Sequence, residues 1–282
     1  MSFEANALNH SNVVTVINMG CGHSQPEPAQ PVRPARAQNP GQNTASMPIG
    51  GPVMVPPTYR DASGRPITHQ DFELDRDTII RALDQMGQYL DRRGVNATVM
   101  TVGGAVNTVY LQSRRSTHDV DFFLATPTAP EHTVIHEAAR SAAHSERSQG
   151  GELGANWFNN ATQLLMGRDI QARLAQSALE QNVIVHQYRG PRGGIVVYAA
   201  PWAYAFCGKL NRLCESNARS YDIADAVCYL HQYLVANNRQ IVSAQEIKQW
   251  CRDFGKNVTD GVLDQVNARY NTTYGTLPIA RP

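Results

Sequence analysis

Apolar side chains recur at helical spacing from residue 79 onward. Ile79, Ile80, Leu83, Met86 and Leu90, with Arg81, Asp84, Gln85 and Asp91 between them, predict an amphipathic helix. Asp75 or Asp77 is placed to cap its start, and Gly94 its end. The period then changes. Thr98, Val99, Met100, Thr101 and Val102 are β-branched or apolar and predict a buried strand. Gly103-Gly104 predicts a tight turn, 105–111 a helix, 114–118 a polar link, and Asp119-Val120-Asp121-Phe122-Phe123-Leu124 a second strand. After a loop with Pro127 and Pro130, 132–146 reads as a helix broken by Gly150, Gly151 and Gly154. Trp157-Phe158-Asn159-Asn160 opens a less regular region, and 171–179 is helical. Strands at 183–186 and 195–198 join through Gly190-Pro191-Arg192-Gly193-Gly194, a hairpin turn. Helices follow at 201–214, 221–235, 243–254 and 259–270, with Ser243 and Glu246 spaced as a capping box. The chain thus reads as α/β (α+β): a small mixed β-sheet core at 71–200 with flanking helices, then a helical C-terminal region at 201–282. No internal repeat is visible.

Residues 1–70 break this pattern. From Ser24 to Pro66 the chain is crowded with Pro, Gly, Gln, Asn and Ala, and aromatics are nearly absent. Such a segment buries too little apolar surface to offset an ordering entropy of roughly 1–2 kcal/mol per residue. A disordered tail is expected there, apart from Val13-Val14-Thr15-Val16-Ile17, which reads as a strand or a partner-binding motif.

Composition narrows the classes. With 25 basic and 24 acidic residues among 282, bulk charge gives no argument for nucleic acid or membrane binding. The five cysteines (Cys21, Cys207, Cys214, Cys228 and Cys251) form no CxxC pair and are odd in number. Reduced intracellular thiols are the simpler reading, with Cys207, Cys214 and Cys228 as core fillers. No stretch is long and apolar enough to span a bilayer, and the N-terminus lacks the basic flank and apolar core of a secretory signal. A cytoplasmic or nucleocytoplasmic protein is expected. Asn96, Asn160, Asn257 and Asn271 head Asn-x-Thr sequons, which read as chance matches in that setting.

The chemistry sits between residues 103 and 121. Residues two apart on a strand share a face, so Asp119 and Asp121 project together and Val120 faces the opposite layer. Adjacent carboxylates repel unless a cation lies between them, and Mg²⁺ binds through one or two carboxylates plus substrate phosphates. Gly103 and Gly104 permit close backbone approach to a phosphate, and the helix after them offers free N–H groups. Arg115, Ser116 and Thr117 are further donors to phosphate oxygens. A lone Gly-Gly is ordinarily a turn and a lone Asp-x-Asp a solvated edge. Their order, about fifteen residues apart, is what makes them specific.

Gly103-Gly104-Ala105-Val106 with Arg115-Ser116-Thr117-His118-Asp119-Val120-Asp121 resembles the first motif of the DNA polymerase β-like nucleotidyltransferase superfamily. Lys209-Leu210-Asn211-Arg212, followed by Arg219-Ser220-Tyr221-Asp222-Ile223-Ala224-Asp225, resembles the later motif of AbiEii-type nucleotidyltransferases, which include abortive-infection toxins. Trp157-Phe158-Asn159-Asn160 resembles a Trp-x-Asn element between them. The resemblance spans about 71–234. It implies transfer of a nucleoside monophosphate from an NTP to an RNA (tRNA among the candidates) or protein acceptor, and an antitoxin-like partner. Asp119 and Asp121 would hold Mg²⁺. Gly103, Gly104, Ser116 or Thr117 would position phosphates, with Arg115 and Arg212 nearby, and Lys209 would neutralise triphosphate charge. Asp222 is left with three roles: orienting Lys209, binding metal or acting as base.

Two departures stand out. Polymerase-like members place a third carboxylate on a later strand. The strands expected at 182–188 and 194–199 hold neither Asp nor Glu, so Asp222 substitutes or the site is weakened. Many members also have Gly-Ser where this chain has Gly103-Gly104, leaving Ser116 or Thr117 as the replacement hydroxyl. Against catalytic readings stand plainer ones. Lys209 and Arg212 share a helix face that could be solvated, and Asp225 could pair with Arg212 or Arg219. His118 and His186 read as structural donors, and Trp157, Tyr198, Trp202 and Tyr204 as core rather than base-stacking rings. A non-catalytic nucleotide- or partner-binding module is the competing function, and a protein working through its tail is a third.

Overall fold

The computed structural model describes residues 72–125, 131–216 and 218–281. The tail at 1–70, with its 13–17 run and Cys21, lies outside the described residues, as do Pro127 and Pro130. The chain enters through β1 (Leu74–Asp75) and α1 (Arg76–Arg93). Of the two candidate caps it is Asp75 that acts, its carboxylate accepting the Thr78 N–H at 2.9 Å. Gly94 closes the helix at φ +68°, a left-handed conformation that favours glycine. The stripe Ile79, Leu83, Met86 and Leu90 is buried.

β2 (Asn96–Val102) follows, then a single π-helical turn at Val106–Tyr110, β3 (Ser116–Thr117) and β4 (Val120–Phe123). The helix expected at 105–111 is present at 104–110, its last five residues wound as a π-helix. The polar link at 114–118 holds a short strand, which pairs antiparallel with β1 through Leu74 opposite Thr117. Asp119 lies one residue before β4 rather than within it. Next come α2 (Glu131–Ser148), β5 (Phe158–Asn159), a 3-10 turn at Ala161–Leu165 and α3 (Arg168–Gln181). The hairpin of β6 (Ile184–Arg189) and β7 (Gly194–Ala199) is as expected.

These strands form one five-stranded mixed sheet in the order β5-β4-β2-β7-β6. β2 runs antiparallel to β4 and parallel to β7, and β4 runs parallel to β5. The pleat sorts side chains to two faces. Val99, Val120 and Phe122 join Leu83, Ile135, Trp157 and Phe158 in the core beneath α1 and α2. Met100 and Phe123 join Leu174, Ala178 and Tyr204 on the other face. Phe122 stacks on Phe158 with ring centroids 4.3 Å apart. Fully burying each such side chain stabilises by about 1.5–3 kcal/mol.

The helical part comprises α4 (Trp202–Leu213), α5 (Asp222–Ala236), β8 (Val242–Ser243), α6 (Ala244–Asp253), α7 (Asp260–Tyr274) and β9 (Ile279–Ala280). Ser243 caps α6 by accepting the Glu246 N–H at 3.0 Å. Phe206, Leu210, Tyr229, Leu230, Ile247 and Leu263 share a core with Val106 and Ala199 from the sheet region, so a common core crosses the position expected to divide the two parts. Cys207, Cys228 and Cys251 are buried and Cys214 is half-buried; all four are free thiols. Among the described residues no helix is long and apolar enough to cross a membrane.

Candidate functional site

Where β2 ends, Gly103 turns the chain at φ +72°. Its carbonyl accepts a hydrogen bond at 2.9 Å from the Tyr229 hydroxyl of α5. Beside this turn opens a cavity of about 330 Å³, bordered by the end of β2, the residues entering β4, and α4. Gly103, Gly104, Thr117, Asp119, Asp121, Lys209 and Arg212 all line it. The two motifs, some ninety residues apart in sequence, therefore meet at one opening.

Asp121 projects from β4 on the face opposite Val120 and Phe122, and Asp119 precedes it on the cavity side. Burial, then the negative charge of Asp119, push the Asp121 carboxyl up to about 7. A hydrogen bond with Asn159 and the charges of Arg212 and Arg219 pull the other way. A pair of mutually repelling carboxylates in a partly buried cavity suits a hard divalent cation that also takes phosphate oxygens. Among the described residues no group of three or more His, Cys, Asp or Glu side chains gathers as a metal cage.

The strands at which a third carboxylate is expected are β6 and β7, and β2 separates them from β4. The strand flanking β4 is β5, within the segment expected to be irregular, and it sets Asn159 opposite Asp121. Asn159 is hydrogen-bonded to Asp121 and does not line the cavity.

Gly104 has a steric explanation. A Cβ there would overlap Thr117 Oγ1 and lie 2.7 Å from Thr117 Cβ. Thr117 thus fills the space that a serine at 104 would use, and presents its own hydroxyl at the cavity wall. Of the two candidate hydroxyls, Thr117 is the one brought to the site. Ser116, on the opposite face of β3, donates to the Glu73 carboxylate and does not line the cavity. Arg115 is exposed and also outside; its neighbour Arg114 lines the cavity instead. Adjacent residues of a strand face opposite sides, which separates Thr117 from Ser116; Arg114 lies in the bend before β3.

Lys209 is 7% exposed, so the solvated-face reading does not hold for it. Its ammonium lies 2.8 Å from Asp222 Oδ1 and 2.6 Å from Asp225 Oδ2. Asp222 also accepts the Arg219 N–H at 2.9 Å. Burial raises the Asp222 carboxyl, but Lys209, that N–H and Arg212 outweigh it and leave the group below its ordinary range. At Asp225 burial prevails over Lys209 and Arg114, and the group is raised. Neither carboxylate lines the cavity. Of the three roles open to Asp222, the geometry gives the orienting one. Asp225 pairs with Lys209 and, at 3.5 Å, with Arg114, not with Arg212 or Arg219. It also accepts at 3.0 Å from the Asn107 amide, whose oxygen shares the single Tyr229 hydroxyl proton with the Gly103 carbonyl.

Sequence reasoning missed Arg114, Tyr229, Asn107 and Lys256 as parts of the site. Arg114 stands beside the residue chosen, in a bend whose sequence has no periodicity to separate the two. Tyr229 lies seven residues, two helical turns, beyond Asp222, a spacing that places it on the same face of α5. Of the other candidates, Tyr204 lines the cavity, whereas Trp157, Tyr198 and Trp202 do not. His118 pairs with Glu73 and His186 with Asp84, both outside the cavity lining.

Two outcomes are expected. Gly104→Ala should destabilise the chain by about 1–3 kcal/mol through overpacking, and Thr117→Gly should relieve part of that cost. Urea unfolding of both single variants and the double variant reads the coupling; additive losses would contradict the overlap. The raised Asp121 carboxyl penalises the fold where it must ionise, so its contribution falls as pH rises from about 4 to about 7. Asp121→Asn should therefore raise the melting temperature of the chelator-treated protein at pH 8, with the gain fading toward pH 4. A gain independent of pH would contradict that account.

No protein family, no curated protein and no solved structure matches this chain, so the functional reading rests on the residues that meet at this cavity.

Proposed function

We propose that the protein is a Mg²⁺-dependent nucleotidyltransferase that moves a nucleoside monophosphate from an NTP to a hydroxyl of an RNA or protein acceptor. The observation that carries this reading is the meeting of Asp119 and Asp121 with Gly103, Gly104, Thr117, Lys209 and Arg212 around one cavity. The resemblance of the first motif to DNA polymerase β-like nucleotidyltransferases and of the later one to AbiEii-type members supports it, tRNA and an antitoxin-like partner being the acceptor and regulator that the resemblance implies. Asp119 and Asp121 would hold Mg²⁺, which when bound would neutralise phosphate charge and activate the attacking oxygen. The turn at Gly103 and Gly104 and the Thr117 hydroxyl seat phosphate oxygens. Lys209, aimed by Asp222 and Asp225, faces the triphosphate and stabilises charge as pyrophosphate leaves. Tyr229 fixes the glycine turn against α5. Among the described residues, the free thiols Cys207, Cys214, Cys228 and Cys251 fit a cytoplasmic setting.

A second reading, a nucleotide-binding module without catalysis, is favoured by one observation: the residue set opposite Asp121 on β5 is Asn159, not a carboxylate. The experiment that separates the two combines purified protein, Mg²⁺, each α-³²P-labelled NTP, total tRNA and cell lysate. Label transferred to RNA or protein, and lost in Asp119→Asn/Asp121→Asn, is the expected result. Nucleotide binding with no transfer of any label would give the second reading.

A further inference from the structure

A glycine inside a helix is costly, because it gives up more conformational freedom on folding than any other residue. Each such glycine therefore calls for a reason. Gly87 of α1 has one: a Cβ there would overlap the Tyr188 side chain of β6. Gly208 has none of that kind. It stands in the interior of α4, and outside its chain neighbours and its own helix backbone a Cβ would meet no heavy atom within 4 Å. It does not face bulk solvent either, for it is half-buried and lines the cavity. Gly261, which also has room for a Cβ, differs: it is exposed in the first turn of α7 and outside the cavity lining. Among the described residues, then, nothing blocks a side chain at 208. The space that Gly208 keeps clear belongs to the cavity, and what gains from the glycine is whatever the cavity holds.

The wall at this point has a definite chemistry. In the interior of an α-helix the Gly208 N–H is committed to the carbonyl four residues earlier, so it offers an incoming group no donor. Tyr204 and Arg212 stand four residues before and after it, in one row along the helix, and both line the cavity. The neighbouring Lys209 leaves this row for Asp222 and Asp225 of α5. The row thus presents a phenol ring, a bare stretch of backbone and a guanidinium. Phosphate oxygens need donors, and a donor-free stretch serves them poorly. A carbon-rich ring needs none there. It gains from close approach to the backbone, and from an aromatic ring and a guanidinium plane beside it.

We propose that the nucleoside portion of the nucleotide packs against the α4 backbone at Gly208, between Tyr204 and Arg212, and that the missing side chain at 208 is what admits it. The assignment rests on the nucleotide reading above. It extends that reading from the phosphates to the sugar and base, and makes Gly208 a residue kept for binding at a cost to the helix.

The test is calorimetry on the full chain in Mg²⁺ with two probes, a non-hydrolysable NTP and inorganic tripolyphosphate, for the parent, Gly208→Ala and Gly208→Leu. Melting curves accompany it. Gly208→Ala should raise the melting temperature by about 2–4 °C, the gain of a helix former that meets no clash. Gly208→Leu should weaken the NTP analogue about tenfold, with a smaller loss for Gly208→Ala, while tripolyphosphate stays within about twofold of the parent. A lowered melting temperature for Gly208→Ala would reveal an internal need for the glycine and overturn the premise. NTP binding that Gly208→Leu leaves unchanged, or an equal loss for both probes, overturns the nucleoside assignment while leaving the nucleotide reading intact. A parent chain that binds neither probe overturns both.

Discussion

The site depends on one buried ammonium. Lys209 reaches from α4 between Asp222 and Asp225 of α5, and all three side chains are largely withdrawn from water. Taking such charges from water is expensive, and it is tolerated only when each finds its partners. Arg114 balances the second carboxylate, Asn107 and the Arg219 N–H satisfy remaining oxygens, and Tyr229 carries the network to the Gly103 carbonyl. Removing one member strands an uncompensated charge at a cost of about 3–5 kcal/mol. The helices of the C-terminal part are therefore locked to the glycine turn at the end of β2. The distance between the two motifs in sequence is closed by this ion cluster and by the shared core around Val106, Phe206 and Tyr229.

The sheet contributes a second constraint. Its pleat commits Val120 and Phe122 to the core under α1 and α2, which forces Asp121 to the opposite side, toward α4. Burial there and the nearness of Asp119 hold a carboxyl near neutrality, a condition that a bound cation would relieve. The same logic of fixed faces explains Gly104 and Thr117. One hydroxyl fits at that corner, and the strand supplies it from 117, so 104 carries no side chain.

Much of this was legible in the chain. The apolar stripe of α1, the β-branched run of β2, the hairpin after β6 and the capping box of α6 are local patterns, and local patterns specify local structure. The glycine pair, Asp119 and Asp121 were legible as a strand–turn–strand pattern of phosphate- and metal-type residues, and Lys209 and Arg212 through the resemblance of their segment to a family motif. What was not legible depends on contacts distant in sequence or on strand phase. Ser116 and Thr117 stayed equal candidates, and Arg115 was chosen rather than Arg114, because composition cannot say which side chains a two-residue strand and the bend before it turn to a cavity. Asn159 was missed because β5 is only two residues long, too short for periodicity, and gains its identity by pairing with β4. Asp225 found Lys209 and Arg114 rather than Arg212 or Arg219, since helix spacing gives neighbours on one helix and not across two. Lys256 carries no motif; only the docking of its loop on Asn211 brings it to the site.

The central claim is that the acidic pair and the Lys209 cluster border one nucleotide site. Its most direct test is calorimetric titration of the protein with a non-hydrolysable NTP in Mg²⁺, in the parent chain and in Lys209→Met. The account predicts one Mg²⁺-dependent binding event per chain that is lost or severely weakened in the variant, while helical content by circular dichroism is kept. Full-strength binding by a folded Lys209→Met chain, or no binding by the parent, would contradict it.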